Sequence, residues 1–272
     1  MRTSLRMLCI VAVAAMAGAT STAVAQDAAA AADPWPDLAQ SIFKDHALLD
    51  GSGVIAIEMP YRAEDAAIVP LTFRSTLPAD DPRQLRAVTL VIDQNPSPVA
   101  AVFTFGPKAG VSAISTRVRV DSYTNVHAVA ELSDGKLYMV KTFVKAAGGC
   151  SAPAAKDGGE AQANLGEMRF RQFAPPATAG APREAQLMIR HPNNSGLQMD
   201  QVSHLYVPAF YIDDLKVWQG DDLVFAMEGG ISIAENPSIR FTYKPNGATS
   251  FRARAADIDK HVFKGEWPAM GM

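Results

Sequence analysis

A single thiol behind two glycines is the feature of this sequence best suited to chemistry. Cys150 stands in Lys-Ala-Ala-Gly-Gly-Cys-Ser-Ala-Pro, residues 145–153. Gly148, Gly149 and the small residues around them leave little side-chain bulk to anchor the backbone, and no periodic pattern makes the segment helix or strand. A thiol there is expected to be exposed. Buried structural cysteines sit in apolar runs, whereas an accessible one can ionise, attack, bind metal or carry a covalently attached group. Ionisation needs help, because a free cysteine has a pKa of about 8.5. Lys145 and Lys156 flank the thiol and are the candidates for electrostatic support, a small effect for solvated cations.

Other constellations are weaker. The five histidines, His46, His127, His191, His204 and His261, are scattered, with no His-x-x-x-His pair, and no second cysteine lies near Cys150 to complete a zinc site. No glycine-rich loop joins a strand to a helix, so no cofactor site and no catalytic residue is assigned, apart from a covalent adduct that Cys150 itself could hold. His191 precedes Pro192 in a loop ending Asn193-Asn194-Ser195-Gly196 and reads as a turn residue satisfying backbone groups rather than as a ligand. A Cys–His hydrolytic dyad lacks an orienting partner, and a flexible arm is a poor mount for chemistry that needs tight positioning. The net charge of −3 comes with no basic block, which argues against nucleic acid as a partner.

The start of the chain reads as a secretory signal peptide over residues 1–25. Arg2 and Arg6 form the positive region, Leu8 to Ala19 the short apolar region, and Ala23-Val24-Ala25 the small-x-small cleavage site before Gln26. Cys9 precedes the apolar run rather than following it, so it leaves with the leader and does not make a lipoprotein anchor. No later run is long and apolar enough to cross a bilayer. The expected location is therefore the periplasm of a Gram-negative bacterium. There, the one remaining cysteine has no internal partner and is reactive by purpose, pairs with another molecule, or is an accidental surface thiol.

The elements that position Cys150 are mostly strands. A helix is expected from Pro34 to Leu48, with Leu38, Ile42, Phe43 and His46 on one face. Runs of β-branched and aromatic residues follow at Val54–Met59, Ile68–Arg74, Ala87–Ile92, Val99–Phe105, Val111–Val120, Val126–Leu132 and Leu137–Val144. Asp134-Gly135 marks the hairpin between the last two. Residues 34–150 thus read as a β-sandwich ending in the cysteine segment. Residues 151–183 are rich in Ala, Gly, Ser and charge and read as a flexible linker with one candidate strand, Glu167–Phe173. A second sandwich is expected over 184–268 from strands at Ala185–Arg190, Leu205–Ile212, Leu215–Trp218, Leu223–Met227, Ser238–Tyr243 and Thr249–Ala256. The fold class is all-β, two Ig-like sandwiches with a short N-terminal helix.

Two stretches carry a family resemblance. Ser115-Thr-Arg-Val-Arg-Val-Asp-Ser through Val140-Lys-Thr-Phe-Val-Lys-Ala-Ala-Gly-Gly-Cys150 resembles the end of SoxY, the sulfur-oxidation carrier subunit, whose last strand leads to a Gly-Gly-Cys-Gly-Gly arm. Ala185-Gln-Leu-Met-Ile-Arg-His-Pro-Asn-Asn-Ser-Gly196 and Gly230-Ile-Ser-Ile-Ala-Glu-Asn-Pro-Ser-Ile-Arg-Phe241 resemble SoxZ, its Ig-like partner. The order Y then Z is similar to that of the fused SoxYZ-like carriers associated with quinoprotein dehydrogenases. The resemblance implies that Cys150 carries a sulfur intermediate, that Gly148 and Gly149 are the hinge of its arm, and that the Y and Z halves pair through a large interface. Implied partners are periplasmic Sox-type enzymes or a quinoprotein dehydrogenase and its cytochrome c. Two departures stand out: Ser151-Ala152 replaces Gly-Gly, and the arm lies in mid-chain, tethered at both ends.

Three readings stay open at this point. The first is a non-catalytic carrier holding a sulfur-containing or other thiol-linked group on Cys150. The second is an accessory module for a periplasmic PQQ-dependent alcohol dehydrogenase, with the cysteine incidental. The third is a redox thiol that pairs transiently with a partner's cysteine.

Overall fold

Alternating burial along short runs of β-branched and aromatic residues shapes this chain. The computed structural model describes residues 33–153, 164–174 and 182–270. The leader, Lys156 and most of the linker lie outside them. Helix α1 (Trp35–Phe43) is followed by β1 (Leu48–Asp50), β2 (Ile55–Glu58), β3 (Val69–Ser75) and β4 (Leu85–Ile92). Then come β5 (Val99–Phe105), β6 (Ala113–Val118), β7 (Thr124–Leu132) and β8 (Leu137–Val144), which leads into the cysteine segment. Beyond it are β9 (Met168–Gln172), β10 (Arg183–Ile189), β11 (Ile212–Gln219), β12 (Asp222–Gly229), β13 (Ser238–Tyr243), β14 (Ser250–Asp257) and β15 (Val262–Pro268). In β13, Ile239, Phe241 and Tyr243 are buried and Arg240 is exposed, the period-two pattern of a strand with one wet face.

Two sheets face each other, and both run through the two halves of the chain. The nine-stranded sheet has the order β1-β8-β7-β4-β5-β12-β11-β14-β15, and the six-stranded sheet the order β2-β3-β6-β13-β10-β9. The halves join edge to edge in each layer. In the larger sheet β5 pairs antiparallel with β12 from Ala101↔Gly229 to Phe105↔Phe225. In the smaller one β6 meets β13 at only two residue pairs, and Thr242 Oγ1 extends the joint by accepting from the amides of Ser112 and Ala113 at 2.8 and 3.0 Å. Edge strands offer unpaired backbone groups, and here each half uses the other to cover them. The described residues from Pro34 onward cluster as one unit. The core is continuous as well: aromatic contacts run from Phe73 to Phe103, from Phe103 to Phe225 and from Phe225 to Phe241 at centroid distances of 5.5, 6.3 and 5.1 Å.

Several sequence expectations shift. The helix stops at Phe43, short of Leu48, because Lys44 turns to φ 55° with its amide on the carbonyl of Gln40, and His46 Nδ1 lies 2.9 Å from the carbonyl of Phe43. Leu48 opens β1 instead, a three-residue strand parallel to β8 and too short to show a period. The run Leu205–Ile212 is not a strand up to Ile212. It holds isolated bridges, Met199 with Tyr206 and Asn194 with Phe210, and Pro208 in its middle has no amide to give a ladder. Strand β15 escapes the sequence pattern because Gly265 interrupts it and its side chains are only partly buried.

Candidate functional site

The cysteine segment leaves β8 pinned to its own half. Lys145 donates its amide to Tyr61 O at 2.7 Å and accepts from Ala63 at 3.1 Å. Gly148 then adopts φ 76°, a left-handed turn that glycine takes without strain, and donates to Asp121 O at 2.8 Å. Gly149 donates to Val120 O at 3.0 Å. A Cβ on Gly149 would sit 2.1 Å from Ala66 O and 2.6 Å from Val120 O, so only glycine fits. Cys150 donates its own amide to Asp121 Oδ1 at 3.3 Å.

The other half closes over this segment. Ser195 Oγ donates to the carbonyl of Cys150, and Gln198 Nε2 donates to that of Ala152 at 3.0 Å. Both residues are buried, and Gln198 Oε1 accepts from the backbone amide of Ser195 at 3.1 Å. Cys150 is fully buried, 0% exposed. The expectation of an exposed thiol is therefore corrected: the segment has no bulk of its own, but its backbone groups find partners 29 residues upstream and 45 downstream. Gly148 and Gly149, which the resemblance implies are a hinge, are in this state what lets the segment dock closely.

Burial also sets the electrostatics. It pushes the Cys150 thiol up to about 12, the nearby Asp121 carboxylate adds to the rise, and the Arg119 guanidinium opposes it. Below that pH the docked thiol is protonated and a poor nucleophile. Arg119 is itself 1% exposed, donates Nη1 to Ile233 O at 2.7 Å, and is held below its ordinary range by burial against the pull of Glu235 and the thiol. The cation acting on the thiol is thus Arg119. Lys145, the sequence candidate, instead rests its Nζ 4.9 Å from the ring of Tyr61, and Lys156 lies outside the described residues.

His191 opens the loop that carries Ser195 and Gln198. It is buried, its Nδ1 accepts from the amide of Asn193 at 3.1 Å, and its Nε2 lies 3.5 Å from Asp257 Oδ2. Burial lowers its pKa, with Asp257 opposing. The turn role expected for it fits this geometry. Asn193, at φ 45°, accepts from Ile212 through Oδ1 at 3.2 Å and donates Nδ2 to the Ile233 carbonyl that Arg119 also uses. Of the other histidines, His261 meets the same Asp257 Oδ2 at 2.9 Å, while His127 lies 3.2 Å from Asp93 under the ring of Trp35, His46 follows α1, and His204 donates its amide to Asp200 O at 2.9 Å. Among the described residues no group of three His, Cys, Asp or Glu side chains is arranged to hold a metal ion. Sequence reasoning missed Arg119, Asp121, Ser195 and Gln198. The one available signal was the polar run Asn193-Asn194-Ser195, and it reads equally well as an ordinary turn.

Comparison with known proteins fits this division of the chain. The family model for the sulfur oxidation protein SoxY matches residues 39–150, ending on the cysteine, and that for the sulphur oxidation protein SoxZ matches residues 170–268. No curated protein matches the sequence. Among solved structures, a superoxide reductase (neelaredoxin) from Ignicoccus hospitalis aligns at 14% identity and TM-score 0.30, over 40% of this chain and 90% of that one. A β-glucuronidase of glycoside hydrolase family 2 aligns at 7% identity and TM-score 0.23, over 81% of this chain and 20% of its own. Neither bears on the site.

Proposed function

From the premise that this chain is a SoxY domain and a SoxZ domain fused in one polypeptide, and so is kin to the carrier-type proteins of sulfur oxidation, we propose that it is a non-catalytic carrier that holds a sulfur-containing intermediate on Cys150. The observation that carries this reading is where the cysteine sits. Cys150 ends the SoxY match behind Gly148-Gly149, at the seam where the SoxZ half reaches across to bond its carbonyl. The thiol becomes useful to partners only when the segment leaves the seam. Then about five extended residues reach on the order of 15 Å, and the thiol regains an ordinary pKa and can attack or be attacked. Partners are enzymes of sulfur-compound oxidation that load or process the adduct. The leader-like residues 1–25 support work in the periplasm.

Intact mass of the protein from its own host, purified without reductant and measured before and after reduction, tests the carrier reading. A reducible mass increment confined to the Cys150 peptide is the expected result, and its size identifies the cargo. A bare thiol under every growth condition would sink the carrier reading. The burial of Cys150 favours the second reading in that event, an accessory module of a quinoprotein dehydrogenase system in which the cysteine is incidental.

A further inference from the structure

Storage and presentation are separate states of a carrier, and the geometry around Cys150 describes the first. Five backbone groups of the segment are bonded by residues far from it in sequence: the Gly148 and Gly149 amides by the carbonyls of Asp121 and Val120, the Cys150 amide by Asp121 Oδ1, and the carbonyls of Cys150 and Ala152 by Ser195 and Gln198. The last two come from the SoxZ half. They are buried, 4% and 1% exposed, and braced by Asn193, which ties the same loop to Ile212 and Ile233. Interiors are close-packed, so a fully buried sulfur has no room for an added group unless its neighbours move.

We propose that the Asn193–Gln198 loop of the SoxZ half is a latch: Ser195 and Gln198 hold the Cys150 segment in the seam and shield its thiol from chance oxidation. The inference rests on the carrier reading and adds to it a division of labour between the halves. The SoxY half supplies the thiol, and the SoxZ half decides whether it is stored or presented. Ser195 and Gln198 are positioning residues, acting on the carbonyls either side of Ser151 rather than on sulfur.

Iodoacetamide alkylation of the whole protein at fixed neutral pH, followed by intact mass, tests this. The rate for the unfolded chain in guanidinium serves as the free-thiol standard, and Cys150→Ser as the blank. The docked thiol, buried and held protonated, is expected to react at least ~100-fold more slowly than the unfolded chain. Ser195→Ala and Gln198→Ala are each expected to speed alkylation about tenfold, as loss of one buried hydrogen bond of ~1–1.5 kcal/mol implies, with strand circular dichroism unchanged. Gly149→Ala, whose Cβ clashes with Ala66 O, is expected to do the same from the SoxY side and serves where a SoxZ-half variant does not fold. A native thiol as fast as the unfolded one, or folded latch variants as slow as the parent, would overturn the latch. A latch that behaves as expected in a protein that never carries a mass adduct in its host would instead overturn the carrier reading and leave the latch as a structural clasp.

Discussion

At the scale of single residues, Cys150 shows how far a thiol's chemistry is set by what surrounds it. Its segment is almost free of side chains, yet its environment is specified closely by Asp121, Arg119, Ser195 and the space left for Gly149. The carboxylate of Asp121 raises the thiol's pKa and its Oδ1 accepts the Cys150 amide. Asp121→Asn separates the two roles, since the amide oxygen can still accept while the charge is gone. The midpoint of the alkylation rate against pH is expected to fall below the parent's value of about 12. An unmoved midpoint would mean that burial alone holds the thiol protonated. The same shift has a consequence for stability. A thiol raised from its ordinary value of about 8.5 to about 12 in the folded chain gives up no stability below the ordinary value and loses it as pH rises from there through 12. Alkaline denaturation should therefore come earlier for the parent than for Cys150→Ser, measured by urea unfolding at pH 8 and pH 10.5. The thiol itself was legible in the sequence. Its burial was not, because the groups that bond its amide and its carbonyl lie 29 and 45 residues away.

Among the elements, helix α1 shows both what periodicity reveals and where it stops. The spacing of Leu38, Ile42 and Phe43 marks the apolar face, and this face packs on Val91 and Val129 of the nine-stranded sheet, with Trp35 stacked 3.5 Å from His127. The helix end is not legible to within several residues, since nothing in Lys44 announces a left-handed turn. A lysine at φ 55° is strained where glycine would not be. Lys44→Gly is therefore expected to stabilise the protein by ~1 kcal/mol, read as a higher urea midpoint at unchanged slope. A lower midpoint would show that the lysine side chain contributes more than its backbone costs. The loop from Asn193 to Phe210 reads in part as a strand for a related reason. Its residues have strand composition, but Pro208 has no amide to give, the amides of Asn193 and Ser195 donate to the side chains of His191 and Gln198, and the Asn193 side chain ties the loop to Ile212 and Ile233.

For the whole molecule the deciding fact is that two sandwiches share two sheets and one core. Phe225 lies at the joint, 6.3 Å from Phe103 of the SoxY half and 5.1 Å from Phe241 of the SoxZ half. Phe225→Ala is expected to cost ~3–5 kcal/mol and to lower the melting temperature of both halves together in one calorimetric transition. Two resolved transitions, one of them unmoved, would contradict a shared core. Read alone, the sequence determined the all-β class, most of the strands, the order of the two halves and the identity of the thiol. Each of these depends on local patterns: period-two alternation, turn residues, and a cysteine among glycines. It could not determine that the halves join edge to edge, that Cys150 rests in their seam, or that Ser195 and Gln198 hold it there. Pairing across a sheet edge and burial of a bare backbone segment depend on groups distant in sequence, and such groups leave no pattern in the chain until the fold brings them together.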